Sequence, residues 1–280
     1  MDKPPIIPLL TRAELNDLAR AKALLENPGF AMRLANKLGG PIEKGFTLLP
    51  KGWSSTVNRA AKSAMLKALN VAVSTLNNRG PRKSREFFHK VLVGTSGGIG
   101  GAFGLAALPV ELPVSTTIML RSIADIARSE GHDLKLMTTK LACLEVFALG
   151  GTTRADDAAE SAYWLTRAAL SKSISEAASY LAEKGAVDAT APVVIRLINS
   201  IASRFGIIVS EEVAAKALPI VGAAGGSVVN VLFINHFQDM ARGHFIVLRL
   251  EDKYGSEMVR DAYAGLALQI PPRLALPDRK

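Results

Sequence analysis

The stretch Val91-Leu92-Val93-Gly94-Thr95-Ser96-Gly97-Gly98-Ile99-Gly100-Gly101 reads in two ways, and the choice between them sets the fold. Read as strand, elbow and helix, it carries the G-x-S-x-G pattern over Gly94 to Gly98. Ser96 is then a nucleophile, with Asp125 and His236 following in the order an acid and a base require. Read as helix, it belongs to an uncharged run from Val91 to Val110 in which six of twenty positions are glycine. Glycines 97 and 101, and 100 and 104, are four apart, so small residues share one face and a second helix can approach closely. An elbow needs a sheet beneath it, and the chain supplies none. Sustained period-two alternation is absent, and β-branched runs such as Val193-Val194-Ile195 and Ile207-Ile208-Val209 are short. The sequence therefore predicts an all-α, multi-helix globular bundle with two glycine-rich apolar segments. A serine hydrolase centred on Ser96 is the alternative.

Apart from Glu111, the uncharged run continues to Leu120, long enough to cross a bilayer core. Each such glycine costs a helix in water about 1 kcal/mol relative to alanine, which tight helix packing would offset. The second segment, Ala217 to Asn235, has Pro219 at its head and Gly222, Gly225 and Gly226 near its start. Asn230 and Asn235 would be costly against lipid, which favours a buried helix in a bundle. The two regions resemble copies of each other. Asp125-Ile126-Ala127-Arg128 precedes Gly131-His132, and Asp239-Met240-Ala241-Arg242 precedes Gly243-His244, each after a proline and a glycine-rich run, which suggests a duplicated helical unit.

Before the first apolar segment, Thr11-Arg12-Ala13-Glu14 has capping-box spacing and starts a helix over about 12–26. Asn27-Pro28-Gly29 breaks it, a short helix runs to Leu38, Gly39-Gly40-Pro41 ends that, and Trp53 to Leu76 is a long amphipathic stretch. Asn77-Asn78-Arg79-Gly80-Pro81 is the strongest linker signal. Residues 1–80 are thus expected to form an N-terminal helical layer, 81–268 the main helical domain and 269–280 a tail. Within the main domain, helices are expected near 84–108, 114–130, 134–149, 155–171, 174–184, 191–205, 211–217, 220–253 and 256–267. Pro192 falls in a first turn, and Gly131, Gly185 and Gly206 stand at or near C-caps.

These motifs together carry a likeness to a known family. The glycines of Gly97-Gly98-Ile99-Gly100-Gly101, then Pro109-Val110-Glu111-Leu112-Pro113, then Asp125-Ile126-Ala127 ahead of Gly131, and later Leu218-Pro219-Ile220-Val221-Gly222-Ala223 with Asn230, resemble the EcsC-like bacterial family over roughly residues 35 to 265. Glu111 stands where that family often has Asp, which keeps the carboxylate on a longer stem. The resemblance implies a helical fold and a membrane-associated setting beside an ABC transporter, and it implies no settled activity.

Length and charge bound the rest. A chain of 280 residues buries a substantial core without disulfides or structural metals. Its single cysteine, Cys143, lies in the apolar run Leu141-Ala142-Cys143-Leu144, so it reads as a buried small hydrophobe in a reducing compartment. Met1-Asp2-Lys3-Pro4-Pro5 has no basic and apolar leader pattern, so a cytoplasmic location, peripheral to the inner membrane, is expected. A net charge of +9 favours an anionic partner, either a membrane surface or a membrane protein complex. Nucleic acid is not expected, because the charge is dispersed and aromatics make up only 6%. The densest basic cluster, Arg79, Arg82, Lys83, Arg85 and Lys90, precedes the first apolar segment and suits a membrane-facing flank.

No nucleotide loop is present: Phe103 stands where a G-x-G-x-x-G run needs its last glycine, and no cofactor is expected. For a metal, His236 with Asp239, His244, Glu111, and His132 with Asp133 are the available donors, but no ligand spacing unites them and no metal is expected. Arg121 with Asp125, and Asp239 with Arg242, fit ion pairs on single helices. If a polar pocket exists, Glu111, Arg121, Asp125, Asn230, His236 and Asp239 line it. The leading expectation is a non-enzymatic, peripherally membrane-associated helical protein. Besides the Ser96 hydrolase, a lipid- or small-molecule-binding bundle with a cavity at Asn230 and His236 remains open.

Overall fold

A computed structural model describes residues 10–26, 30–39, 42–76, 104–150, 162–218 and 222–266. Among these the chain is helical, with no strand. The helices are α1 (Arg12–Leu25), α2 (Phe30–Leu38), α3 (Glu43–Thr47), α4 (Trp53–Thr75), α5 (Gly104–Ser129), α6 (Met137–Leu149), α7 (Ala162–Lys184), α8 (Pro192–Ala217), α9 (Gly222–Tyr254) and α10 (Ser256–Gly265). The capping box closes α1 as its sequence requires. Thr11 Oγ1 accepts from the Glu14 amide at 3.3 Å, and the Glu14 carboxylate accepts from the Thr11 amide at 2.9 Å. α5 ends in a Schellman turn. Gly131, at φ +95°, lets the His132 amide reach back to the Ala127 carbonyl at 3.1 Å.

The centre of the bundle is α6. Every residue from Thr139 to Leu149 is buried, because the segment, apolar but for Thr139, Lys140 and Glu145, has neighbours on all sides. Cys143 is wholly buried there, and burial pushes its thiol far above the usual range. Around α6 an aromatic cluster ties four helices together. Phe147 meets Phe205 of α8 and Phe237 of α9, each at 5.3 Å between ring centres, and Phe30 of α2 meets Phe233 at 5.6 Å. α4 packs along α5 and α8, and α1 packs along α9.

α5 and α9 lie side by side and run parallel. Gln238 donates to Ser122 Oγ at 2.9 Å, and ten residues on from Ser122 and seven on from Gln238, His132 Nε2 meets the Phe245 carbonyl at 3.0 Å. The two Asp-x-Ala-Arg segments thus stand next to each other in the same orientation. Their Gly-His dipeptides do different work, however. Gly131 ends a helix, whereas Gly243 lies inside one, where a Cβ would stand 2.6 Å from Leu25 Cγ of α1.

Four boundaries differ from those read in the sequence. α5 runs unbroken through Pro109 and Pro113, which were expected to separate helices ending at 108 and starting at 114. The prolines are four apart and lie beside the exposed Val110 and Val114, so both fall towards the outer face of the helix, where a lost backbone hydrogen bond is least costly. α7 is one helix where two were expected, since it holds no glycine or proline and its serines bond back to their own helix, as Ser171 Oγ does to the Ala168 carbonyl at 2.9 Å. α8 continues through Gly206, which is no C-cap. A lone glycine costs about 1 kcal/mol, and the burial of Phe205, Ile208 and Val209 around it exceeds that. The short α3 was not foreseen, and Gly45 lets it lie directly on the Ala214 carbonyl of α8.

Candidate functional site

Two concave features carry polar groups. The first is a narrow groove of about 60 Å³ between α5, α8 and α9. Leu108, Leu112, Met119, Val213, Phe233 and Ile234 make it apolar, and Glu111, Glu212, Lys216 and Asn230 are its polar members. Glu212 is buried and accepts from Lys216 Nζ at 2.7 Å, so the ammonium is already held. Burial works against the Lys216 charge, yet Glu212, with help from Glu111, holds its pKa above the ordinary value.

The six residues expected around one polar pocket do not come together. Glu111 and Asn230 both line the groove. Asp125 is hydrogen-bonded to Arg128, while Arg121 is exposed and acts on it only through its charge. Burial outweighs both arginines and raises the Asp125 pKa. Asp239 pairs with Arg33 of α2 at 2.9 Å, and not with Arg242 as its spacing on the helix had suggested. His236 is buried against Gly150 and Phe30, away from the groove. Burial first, and then the Arg33 charge, lower its pKa to about 3, so it is neutral at physiological pH. Ser96 and the cluster Arg79, Arg82, Lys83, Arg85 and Lys90 lie outside the described residues. Among the described residues, no group of three or more His, Cys, Asp or Glu side chains could hold a metal ion.

The second feature is a cleft of about 350 Å³ lined by Glu145, Trp164, Arg167, Ala168, Ser171, Ile174, Ser256 and Arg260. Behind it stands a buried polar network. Arg167 grips Glu251 with two hydrogen bonds, at 2.9 and 2.8 Å, and also reaches Tyr163 Oη at 3.4 Å. Tyr163 Oη meets His244 Nδ1 at 3.1 Å, and His244 Nε2 faces Glu145 Oε2 at 3.5 Å. Burial keeps the Tyr163 phenol protonated and the His244 ring neutral. It also raises the Glu145 pKa to about 7, against the pull of Arg167. Of this network only His244 was singled out in the sequence, as a possible metal donor. Glu145 did give a signal: it is a carboxylate placed inside the apolar run Leu141 to Leu149, where an ionised side chain has no ordinary reason to stand.

A family model described as the EcsC protein family matches residues 13–250, from the first turn of α1 almost to the end of α9. The chain belongs to the EcsC protein family. The glycine, proline and helix-end motifs that first pointed to EcsC fall inside the matched region, as does the whole α5–α8–α9 groove. Of the second cleft, Glu145, Tyr163, Arg167 and His244 fall inside it, while Glu251, Ser256 and Arg260 lie just beyond. No curated protein and no solved structure matches this EcsC chain.

Proposed function

We propose that this EcsC protein is a non-enzymatic, cytoplasmic helical protein that attaches peripherally to the inner membrane or to a transporter-type membrane complex. The attachment uses the N-terminal halves of α5 and α9. One observation supports this above the others: both halves lie at the same end of a parallel helix pair and present valines to solvent. Val110 is 75% exposed, Val114 57%, Val228 43% and Val231 38%. Exposed apolar surface at one end of a molecule, next to an apolar groove, suits a lipid or protein surface better than water.

Magnitudes favour a reversible mode. Those side chains offer about two valines' worth of apolar area, or roughly 3 kcal/mol, which alone corresponds to binding in the millimolar range. Each Lys or Arg near an anionic surface adds about 1 kcal/mol, so the cluster Arg79, Arg82, Lys83, Arg85 and Lys90 would contribute as much again or more. Attachment of this kind is sensitive to salt. Among the described residues one helix, α8, is long and apolar enough to cross a bilayer, and half of its most apolar window is buried inside the protein.

Co-sedimentation with anionic and neutral vesicles at low and high salt tests the reading. Binding to anionic vesicles that salt reverses, and that Val110→Glu with Val114→Glu weakens at least tenfold, is the expected result. Protein that stays in the supernatant under every condition would end the lipid form of the proposal, and failure to bind membranes from the native cell would end the rest.

A further inference from the structure

We propose that the turn between α3 and α4, residues 44–53, is an interfacial anchor that seats in the headgroup region of an anionic bilayer. The anchor rests on the membrane reading above and adds to it side chains that the valine contact does not use. The turn reads Lys44-Gly45-Phe46-Thr47-Leu48-Leu49-Pro50-Lys51-Gly52-Trp53. Aromatic and aliphatic residues stand between two lysines there, which is the composition of a segment that lies in the membrane interface.

The fold presents the apolar members of this turn while holding its two ends in place. Leu48 is 54% exposed, and Leu49 beside it is half-buried. Phe46 and Trp53 pack partly against the core and meet each other at 5.5 Å between ring centres, so the rings pin the start of the turn to its end. The backbone is already hydrogen-bonded within the turn. The Leu48 amide donates to the Gly45 carbonyl at 3.1 Å, Leu49 to Phe46 at 3.4 Å and Trp53 to Pro50 at 3.2 Å. Pro50 has no N–H, and the Thr47 hydroxyl donates to the Lys44 carbonyl at 2.8 Å. The apolar residues from Leu48 to Trp53 thus carry no unpaired backbone donor towards lipid, where one would be costly.

Charge selects the kind of surface. From Glu43 to Thr75 the chain has five cations, Lys44, Lys51, Arg59, Lys62 and Lys67, against Glu43 alone. All five are exposed, and none forms an ion pair among the described residues. Lys44 and Lys51 flank the leucines. Arg59 lies six residues past Trp53, about 9 Å along α4, which is about one screening length from the turn at physiological salt. Exposed leucines, a tryptophan opening the helix and cations along it follow the order in which a bilayer presents hydrocarbon, carbonyls and phosphates. A single-stranded nucleic acid would want ring faces to stack on, whereas the most exposed apolar residue here is aliphatic.

The position of the turn agrees with this. Gly45 lies directly on the Ala214 carbonyl, and Val213 and Lys216, in the same last turn of α8, line the groove beside Leu108 and Leu112 of α5. A helix with its side chains is about 10–12 Å across. The leucines of the turn and the valines beside that groove therefore stand at one end of the molecule.

Of the two tryptophans, Trp164→Phe leaves Trp53 as the reporter. The probes are vesicles of phosphatidylcholine with and without phosphatidylglycerol. On the anionic vesicles, Trp53 emission should shift to the blue and be quenched by acyl chains brominated near the headgroup. Leu48→Glu should weaken binding about tenfold or more, and Lys44→Gln with Lys51→Gln about thirtyfold, the worth of two cations near an anionic surface. Both variants should keep the parent melting temperature, since these side chains are exposed. Bound protein whose Trp53 emission and quenching are unchanged, or whose affinity is the same after Leu48→Glu, would overturn the anchor and leave the valine contact standing. No binding to either vesicle would overturn both. Attachment only to membranes from the native cell would give this end to a protein partner and overturn the lipid contact.

Discussion

The His236 imidazole lies directly over Gly150: a Cβ on that glycine would stand 2.0 Å from Nε2. α6 therefore ends where α9 needs space for a ring, and the glycine is fixed by its neighbour, since its own backbone is an ordinary right-handed one. Gly150→Ala should cost about 3 kcal/mol, the upper part of the range for overfilling a packed site. Denaturant unfolding checks this. Because the clash is with one ring, adding Gly150→Ala to His236→Ala should cost under about 1 kcal/mol more. Full additivity of the two would show that the alanine strains something else.

Acid and base stability should depend on different groups. Burial raises the Glu145 pKa from 4.5 to about 7, and it does the same to Glu211, which accepts from the Ala31 amide and stands near Glu43. In each case the folded protein holds a proton that the unfolded chain has released, so stability falls as pH rises from about 4.5 to 7. Glu145 alone accounts for at most about 3 kcal/mol of that fall. Glu145→Gln should match the parent at pH 4.5 and exceed its melting temperature at pH 8. Equal melting at pH 8 would mean that the carboxyl is not buried in solution.

On the acid side the sign reverses. His236, with a pKa about 3, and His244, well below 6.5, take up protons only on unfolding, so stability is lost as pH falls below about 6.5. His236→Gln should reduce the steepness of that loss, measured as the number of protons taken up on unfolding between pH 4 and 6.

Two other glycines at helix contacts should respond differently to alanine. At Gly45 the new Cβ would meet the Ala214 carbonyl oxygen at 1.9 Å, a backbone atom that cannot rotate away. At Gly243 it would first meet Leu25 Cγ at 2.6 Å, at the end of a side chain that can turn. Gly45→Ala should raise proteolysis and amide exchange in α3, while Gly243→Ala should cost about 1–2 kcal/mol with the helices in place. The reverse order would count against this packing.

Lys22 of α1 donates to the Tyr263 and Leu266 carbonyls at 3.0 and 2.7 Å, where α10 ends. Such a charged cap contributes about 1.5–3 kcal/mol. Lys22→Met, which keeps most of the apolar stem, should therefore expose the last turn of α10 to amide exchange and leave α6 protected. Uniform loss of protection throughout would mean that α10 does not fray on its own.

How much of this was legible in the sequence follows from how local each signal is. The Thr11–Glu14 box, the Gly131 helix end and the buried run around Cys143 are set by neighbours in the chain, and each was readable. Pro109 and Pro113 misled, because what a proline does in a helix depends on which face meets water, and that is decided by α4 and α9. Gly206 misled for a similar reason. The Arg167–Tyr163–His244–Glu145 network was out of reach as a whole, since its members come from three helices and Tyr163 and His244 are 81 residues apart. Glu145 alone carried a readable anomaly. The polar pocket expected around six residues failed to form as one unit because Arg33 of α2, which no helix-periodicity argument connects with α9, takes up Asp239.

Among the described helices, α1 is held by α9 and α10. Asp17 pairs with Arg249, Glu14 with Lys253 and Tyr254, and Lys22 with the end of α10, across sequence separations of 232 to 244 residues. During synthesis, then, α1 leaves the ribosome long before α9 and α10 exist for it to hold, and the mostly apolar α6 waits without its α9 neighbour. The bundle closes only once α9 and α10 have been made. For a protein whose surface carries exposed valines at one end, that order of events makes the nascent chain, rather than the finished fold, the form most in need of a chaperone.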